Sequence, residues 1–105
     1  MTALPETWFV VLSGLLLGVG VFGLLTRRNF ILILIAIEVA MNATILNFVY
    51  FAAFAPHAAG LSGQVIAVVL IGFAATEVAV GLAIVLALNR LKGTINVGLA
   101  NLLRE

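Results

Sequence analysis

Long apolar runs, separated by short polar segments, dominate the chain. Residues 8–26, 30–54 and 65–89 contain no lysine or arginine and consist largely of aliphatic and aromatic side chains. Each run has at least 18 residues, and an α-helix needs about 20 to cross a bilayer core of ~30 Å. The pattern predicts an all-α integral membrane protein. Residues 1–105 are expected to form a single three-helix transmembrane domain, with spans at about 8–26, 30–54 and 64–89.

The segments between the runs predict the connections and the orientation. The short Thr26-Arg27-Arg28-Asn29 segment predicts a tight hairpin between the first two spans. Residues 55–63 are expected to form the second loop, uncharged apart from His57, with Gln64 capping the third span. A polar tail, 90–105, carries the charged residues Arg90, Lys92, Arg104 and Glu105.

Basic residues occur only in the first connection and in the tail. The positive-inside rule therefore predicts that the first loop and the C-terminus are cytoplasmic, with the N-terminus and the second loop outside. The chain opens with Met-Thr-Ala-Leu-Pro-Glu, which lacks the basic region of a signal peptide, so we expect the first span to be retained.

Composition excludes several classes of function. The chain is 65% hydrophobic and 9% charged, which is more apolar surface than a soluble domain of this size could bury. A net charge of +1 provides no long-range attraction for nucleic acid. The absence of cysteine excludes disulfides and cysteine-ligated iron–sulfur clusters, and His57 alone cannot assemble a zinc or haem site. We therefore expect no cofactor and no metal ion in this chain.

Small residues predict surfaces for close helix packing. Gly14 and Gly18 form a G-x-x-x-G pair in the first span, with Gly20 and Gly23 beyond them. In the third span an i, i+4 ridge consists of Ala75, Ala79, Ala83 and Ala87. Such surfaces let helix backbones approach each other in lipid.

Two of the four acidic residues lie inside predicted spans. Glu38 follows Arg28 by ten residues, which places it ~15 Å from the membrane edge at the basic loop, and Glu77 precedes Arg90 by thirteen residues, or ~20 Å. Both therefore lie near the middle of the bilayer, where an ionised group costs at least ~2.5–3.5 kcal/mol. Acids at such depth are typical of proton relays, so Glu38 and Glu77 are predicted to transfer protons. The alternative is that they only hydrogen-bond between helices and hold them together.

Other polar residues are candidates for supporting roles. Asn42 lies four residues after Glu38 on the same helix face and can hydrogen-bond its carboxyl group. Arg27 and Arg28 either anchor the topology at anionic headgroups or act beside a cytoplasmic cavity. Asn47, on the opposite side of its helix from Glu38, is expected to contact another helix.

These motifs resemble the K-subunit family of respiratory NADH-quinone oxidoreductase, the proton-pumping complex I, over nearly the whole chain. The first-loop Arg27-Arg28-Asn29 belongs to the resemblance. Residues 37–43 (IEVAMNA) resemble the family's G-L-E-x-x-x-N-A, and residues 74–83 (AATEVAVGLA) resemble its A-A-A-E-A-x-x-G-L-A. Gly63-Gln64-Val65 matches the start of the third helix. Ala36 stands where glycine is usual, and Thr76 replaces an alanine.

The resemblance implies a role inside a larger complex. The K subunit lies in the membrane arm, between the quinone-proximal and the antiporter-like subunits, in the bacterial inner membrane or its organellar equivalent. Its membrane glutamates, here Glu38 and Glu77, join quinone chemistry to proton translocation, with Arg27 and Arg28 on the cytoplasmic loop. NADH, FMN, the iron–sulfur clusters and quinone are then expected in partner subunits, and lipid surrounds the chain.

Two other classes of protein remain possible from the residues. The C-type subunit of multisubunit sodium–proton antiporters shares the three-helix plan but lacks the paired glutamate motifs. A purely structural assembly subunit would need neither glutamate. A small multidrug-resistance exporter needs a fourth span, and a rotor-ring subunit has only two.

Overall fold

Three long helices make up the part of the chain that the structure describes. The computed structural model describes residues 4–92, apart from the side chains of residues 57 and 58. The helices are α1 (Glu6–Thr26), α2 (Phe30–Phe54) and α3 (His57–Lys92), and each is long and apolar enough to cross a membrane. The predicted three-helix membrane fold is confirmed. The limits of the spans within these helices stay predictions, and residues 93–105 of the predicted tail, including Arg104 and Glu105, lie outside the described residues.

The first two helices form the predicted hairpin. Helix α1 ends where Arg27 takes an extended backbone conformation, and the Arg27 N–H donates to the carbonyl oxygen of Gly23 at 3.1 Å. Helix α2 begins immediately afterwards, because the Asn29 side-chain oxygen accepts hydrogen bonds from the N–H groups of Ile31 (2.9 Å) and Leu32 (3.4 Å). This N-cap satisfies two backbone donors that a helix start leaves without partners.

Helix α3 begins earlier than the sequence predicts. Residues 57–63 are helical rather than part of a loop, so Gln64 lies exposed within α3 and its prediction as a cap was wrong. Two glycines in this segment serve close packing. A Cβ atom at Gly60 would lie 2.7 Å from the carbonyl oxygen of Ala52, and one at Gly63 would lie 2.8 Å from the Ala52 Cβ. The connection between α2 and α3 is therefore reduced to Ala55 and Pro56.

The helices form a layer with α2 in the centre. Helix α2 packs against both α1 and α3, whereas α1 and α3 scarcely touch each other. The buried hydrophobic side chains are mostly alanines, at positions 36, 43, 52, 67 and 74. Large side chains point outward instead: Trp8 is 66% exposed and Leu25 78% exposed. Since water disfavours so much exposed apolar surface, lipid or other protein must surround the layer.

Close packing uses only some of the predicted small residues. Gly20 and Gly23 lie against Ala36 and Ala40 of α2, whereas Gly14 and Gly18 have no atom within 4 Å of where a Cβ would stand. The alanine ridge of α3 is exposed along its whole length. Neither the Gly14–Gly18 pair nor the alanine ridge therefore packs within the described chain.

Aromatic side chains join the start of α1 to the end of α2. The rings of Phe9 and Tyr50 stack with centroids 4.1 Å apart, and Phe54 tilts against Tyr50 at 4.9 Å. The Tyr50 hydroxyl donates to the carbonyl oxygen of Leu4 at 3.3 Å. These contacts fix the register of the hairpin at the end opposite its loop.

Candidate functional site

The packing of α2 against α3 brings Glu38 and Glu77 to the same level. The side chain of Leu34 covers Gly81, and further along the same interface Ala52 contacts Gly63. From the first contact, Glu38 lies four residues onward along α2, and Glu77 lies four residues back along the antiparallel α3. Both glutamates are therefore about one helical turn, or ~6 Å, beyond the Leu34–Gly81 contact.

The two glutamates line one groove between α2 and α3. Its volume is about 340 Å³, and apart from the two acids and Thr76 its walls are apolar, including Leu34, Ile37, Phe73 and Ile84. Glu38 is half-buried and Glu77 is exposed on the surface of the isolated chain. The structure therefore brings together the two residues that the sequence predicts to transfer protons.

Glu38 also borders a second groove, on the other side of the contact between α2 and α3. This groove has a volume of about 250 Å³ and is lined by Leu34, Ile35, Val39, Val78 and Leu82. Glu38 is thus a lining residue of both grooves. Of these two grooves, Glu77 borders only the larger.

The larger groove contains no positive charge from the described part of this chain. No lysine, arginine or histidine is among the residues that line it. In an apolar setting an ionised carboxyl group needs a compensating charge, a hydrogen-bond donor or water. For either glutamate in its ionised form, such groups must come from water or from another protein.

Thr76 is a site residue that the sequence analysis missed. It lines the groove directly beside Glu77, and its hydroxyl donates to the carbonyl oxygen of Gly72 at 2.7 Å. Because the hydroxyl proton is used in this hydrogen bond, the hydroxyl group can act toward the groove only as an acceptor. Its oxygen can accept a hydrogen bond from a water or from a protonated carboxyl group. The sequence showed Thr76 only as a departure from the family motif, with no signal that it lines a groove together with Glu38.

The predicted supporting residues lie away from the groove. Asn42 is exposed and does not line it, and within residues 4–92 no hydrogen bond joins Asn42 to Glu38. Arg27 lines a different groove, between α1 and α2, and Arg28 is exposed on the hairpin loop. The roles of Asn42, Arg27 and Arg28 beside the glutamates stay predictions.

Asn47 lies in a third groove, near the other end of the interface between α2 and α3. Its amide oxygen is buried and has no hydrogen-bond partner among the described residues. Phe51, Ala59 and Gly63 line the same groove, and the predicted contact of Asn47 with another helix stays a prediction. Elsewhere in the described chain, no three acidic or histidine side chains come together as metal ligands.

The chain has three helices that are long and apolar enough to span a membrane, and two acids in one apolar groove between two of them. These features define a class, the small multi-pass membrane proteins with carboxyl groups between their helices. Comparison with known families is more specific. The family model of NADH-ubiquinone/plastoquinone oxidoreductase chain 4L matches residues 8–105, and the chain belongs to this family.

Individual members of the family are similar in sequence to this chain over most of its length. NADH-quinone oxidoreductase subunit K of Geobacillus sp. (strain WCH70) is 41% identical, over 92% of both chains. The subunit K of Anaeromyxobacter sp. (strain K) is 39% identical, over 97% of this chain and 100% of its own. NAD(P)H-quinone oxidoreductase subunit 4L of Synechococcus sp. (strain JA-3-3Ab) is 43% identical, over 92% of this chain and 94% of its own.

These findings confirm the resemblance drawn from the two glutamate motifs. The chain is a membrane subunit of the complex I type, and its partners include other subunits of such a complex. These three relatives are named as quinone oxidoreductase subunits and not as antiporter subunits.

Proposed function

We propose that this chain is a membrane-arm subunit of a proton-pumping NADH-quinone oxidoreductase in which Glu38 and Glu77 transfer protons. One observation carries the proposal: the two carboxyl groups lie at one level in one groove between α2 and α3. Acids that served only as separate interhelical hydrogen bonds would not need a common groove.

The groove provides room for a proton path. Its volume of about 340 Å³ holds several water molecules, since each occupies ~30 Å³ in the liquid. Waters beside Glu38, Thr76 and Glu77 would find the two or more polar partners that an ordered water requires. A chain of waters would then join the two carboxyl groups without a direct contact between them.

In the mechanism we propose, quinone reduction elsewhere in the complex changes the electric field at Glu38. A proton, or the charge it leaves, then passes along the groove to Glu77. Glu38 is the entry point because it borders grooves on both sides of α3, whereas Glu77 borders one. This chain contributes the two carboxyl groups, and the Thr76 hydroxyl accepts a hydrogen bond within the path.

The place of the chain in the complex follows from the same proposal. It lies between the quinone-proximal and the antiporter-like subunits, in the inner cell membrane. NADH, FMN, the iron–sulfur clusters and quinone bind to partner subunits. The hairpin loop with Arg27 and Arg28 and the end of α3 with Arg90 and Lys92 face the cytoplasm.

Replacing each glutamate by glutamine tests the proposal. Glu38→Gln and Glu77→Gln keep the size of the side chain and resemble the protonated acid in hydrogen bonding, but cannot release a proton. Each variant complex, in inverted membrane vesicles, is expected to lower proton uptake per NADH oxidised by at least about tenfold. A pH-sensitive dye measures the uptake, and absorbance of NADH measures electron transfer in the same vesicles.

Matched variants separate proton transfer from assembly. Glu6→Gln removes an exposed acid at the start of α1, outside the groove, and is expected to pump normally. Glu77→Asp keeps an ionisable group and is expected to retain part of the activity. If fully assembled Glu38→Gln and Glu77→Gln complexes both pump like the unmodified complex, the chain is a structural subunit and the proposal is wrong.

A further inference from the structure

A separate groove between α1 and α2 combines an apolar wall with a positively charged end. It has a volume of about 290 Å³, and Val19, Gly23 and Arg27 line it from the α1 side. These residues are four apart and so follow one face of the helix. Leu32, Ile35 and Val39 line the opposite wall from α2. The only charged residue of this lining is Arg27, where the groove reaches the hairpin loop.

The dimensions of this groove suit a hydrocarbon chain. From Val19 to Arg27 the wall extends over eight residues, or ~12 Å along the helix axis. Gly23 has no side chain, and Ala36 of α2 lies directly against it, since a Cβ at Gly23 would come within 2.9 Å of the Ala36 Cβ. No large side chain therefore projects into the groove from Gly23 or Ala36. Its lining has too few polar groups for ordered water, which needs two to four partners.

The charge at the end of the groove has no counterpart in the described chain. Neither Arg27 nor Arg28 forms an ion pair with any residue between positions 4 and 92, and both are exposed. No acidic residue lines the groove. An arginine stem can lie along apolar surface while its guanidinium group binds a phosphate through two parallel hydrogen bonds.

From these observations, we propose that the groove between α1 and α2 is a binding site for an anionic phospholipid. The phosphate lies at Arg27 and Arg28, and one acyl chain follows the groove toward Val19. A phosphodiester without a positive headgroup fits best, because the groove offers no carboxylate to pair with choline or ethanolamine. The site has cations at the loop and aliphatic walls along the groove, so its two parts match the phosphate and the acyl chain of such a lipid.

Photolabelling of the assembled complex tests this site. The purified complex is reconstituted into phosphatidylcholine vesicles that contain a trace of phosphatidylglycerol with a diazirine on one acyl chain. After illumination, mass spectrometry is expected to find the label on residues 19–39 of this chain. Unlabelled phosphatidylglycerol is expected to compete for the site, and added phosphatidylcholine is not.

Three variants show which features hold the lipid. Arg27→Gln is expected to lower the labelling about fivefold, since one basic residue near an anionic surface contributes ~1 kcal/mol. Arg90→Gln, which removes a cation outside this groove, is expected to leave it unchanged. Val19→Trp keeps both arginines but fills the groove, and is expected to abolish labelling there. If the Arg27→Gln complex does not assemble, Val19→Trp still tests whether the lipid occupies this groove.

Several results would overturn the proposal. Equal labelling by a phosphatidylcholine probe would show an unspecific lipid contact. Absence of label from residues 19–39, together with crosslinks from this groove to another subunit, would show that a neighbouring helix fills it. Equal loss of label in Arg27→Gln and Arg90→Gln would show that charge acts only through the membrane surface.

Discussion

Helix α1 packs closely against α2 at Gly20, next to the part of α2 that carries Glu38. Gly20 is buried against Ala36 and Ala40, the α2 residues on either side of Glu38 along the chain. Replacing Gly20 by alanine is therefore expected to displace the part of α2 that positions this carboxyl group. Gly18→Ala is the matched control, because the Cβ at that position meets no atom of the chain within 4 Å.

The size of the effect follows from three close distances. A Cβ at position 20 would lie 2.8 Å from the Ala36 carbonyl oxygen and 2.8 Å from both the backbone nitrogen and the Cβ of Ala40. Ordinary contacts begin at 3.4 Å, so the helices must separate by about 0.6 Å, the difference between these two distances. Two of the three atoms belong to the backbone, so a change of rotamer cannot relieve the clash.

Overpacking of this kind costs ~1–3 kcal/mol. Alanine also improves helix propensity by up to ~1 kcal/mol over glycine, but that gain is common to both variants. The difference between Gly20→Ala and Gly18→Ala therefore isolates the clash. It corresponds to a ratio of folded to unfolded chain that is about fivefold to 140-fold lower for Gly20→Ala.

The assay is the steady-state amount of the tagged chain in membranes, measured for the chain expressed alone and within the complex. Gly20→Ala is expected to lower the amount in both settings, whereas Gly18→Ala is expected to preserve it in the chain expressed alone. A loss confined to the complex for Gly18→Ala would locate a neighbouring subunit at that face. Equal amounts of the two variants in the chain expressed alone would refute the close contact at Gly20.

Two further predictions concern side-chain hydrogen bonds. Thr76→Val removes the hydroxyl beside Glu77 at nearly constant shape and is expected to lower proton uptake per NADH oxidised about twofold to tenfold, whereas Thr76→Ser retains it. Unchanged uptake in Thr76→Val would exclude the hydroxyl from the path. Asn29→Ala removes the N-cap of α2 and is expected to cost ~1 kcal/mol in thermal unfolding, whereas Asn29→Asp keeps the accepting oxygen. Equal stability of the alanine and aspartate variants would contradict the role of the cap.

The three-helix fold could be predicted because lipid imposes simple rules on sequence. A run of about 20 apolar residues identifies a span, and the polar Thr26-Arg27-Arg28-Asn29 segment cannot lie in hydrocarbon. Counting residues along straight helices predicts similar depths for Glu38 and Glu77, and the structure places the two at one level of the α2–α3 interface. The start of α3 could not be found in this way, because glycines at positions 60 and 63 are equally typical of a loop and of close helix packing.

The groove between α2 and α3 that contains both glutamates could not be predicted from the sequence. Its formation depends on the register between α2 and α3, which the Leu34–Gly81 and Ala52–Gly63 contacts set. Every apolar residue of α3 is a comparable candidate for such a contact, so the sequence does not show which glycine receives Leu34. The same ambiguity explains why the exposed alanine ridge looked more like a packing surface than the isolated alanines at positions 67 and 74, which are the buried ones.

The exposure of Glu77 explains why the proposed function belongs to a complex and not to this chain alone. Helix α2 covers one side of the groove, and the described chain places nothing over the other side, where Glu77 is open to the surroundings. Facing hydrocarbon, an ionised glutamate would cost at least ~2.5–3.5 kcal/mol, and waters in the groove would have no wall to retain them. A second protein surface over the groove removes both problems, and membership in a family of complex subunits supplies such surfaces. Glu77 therefore provides only this chain's part of the site. The proton path that we propose is complete only when another subunit covers the groove.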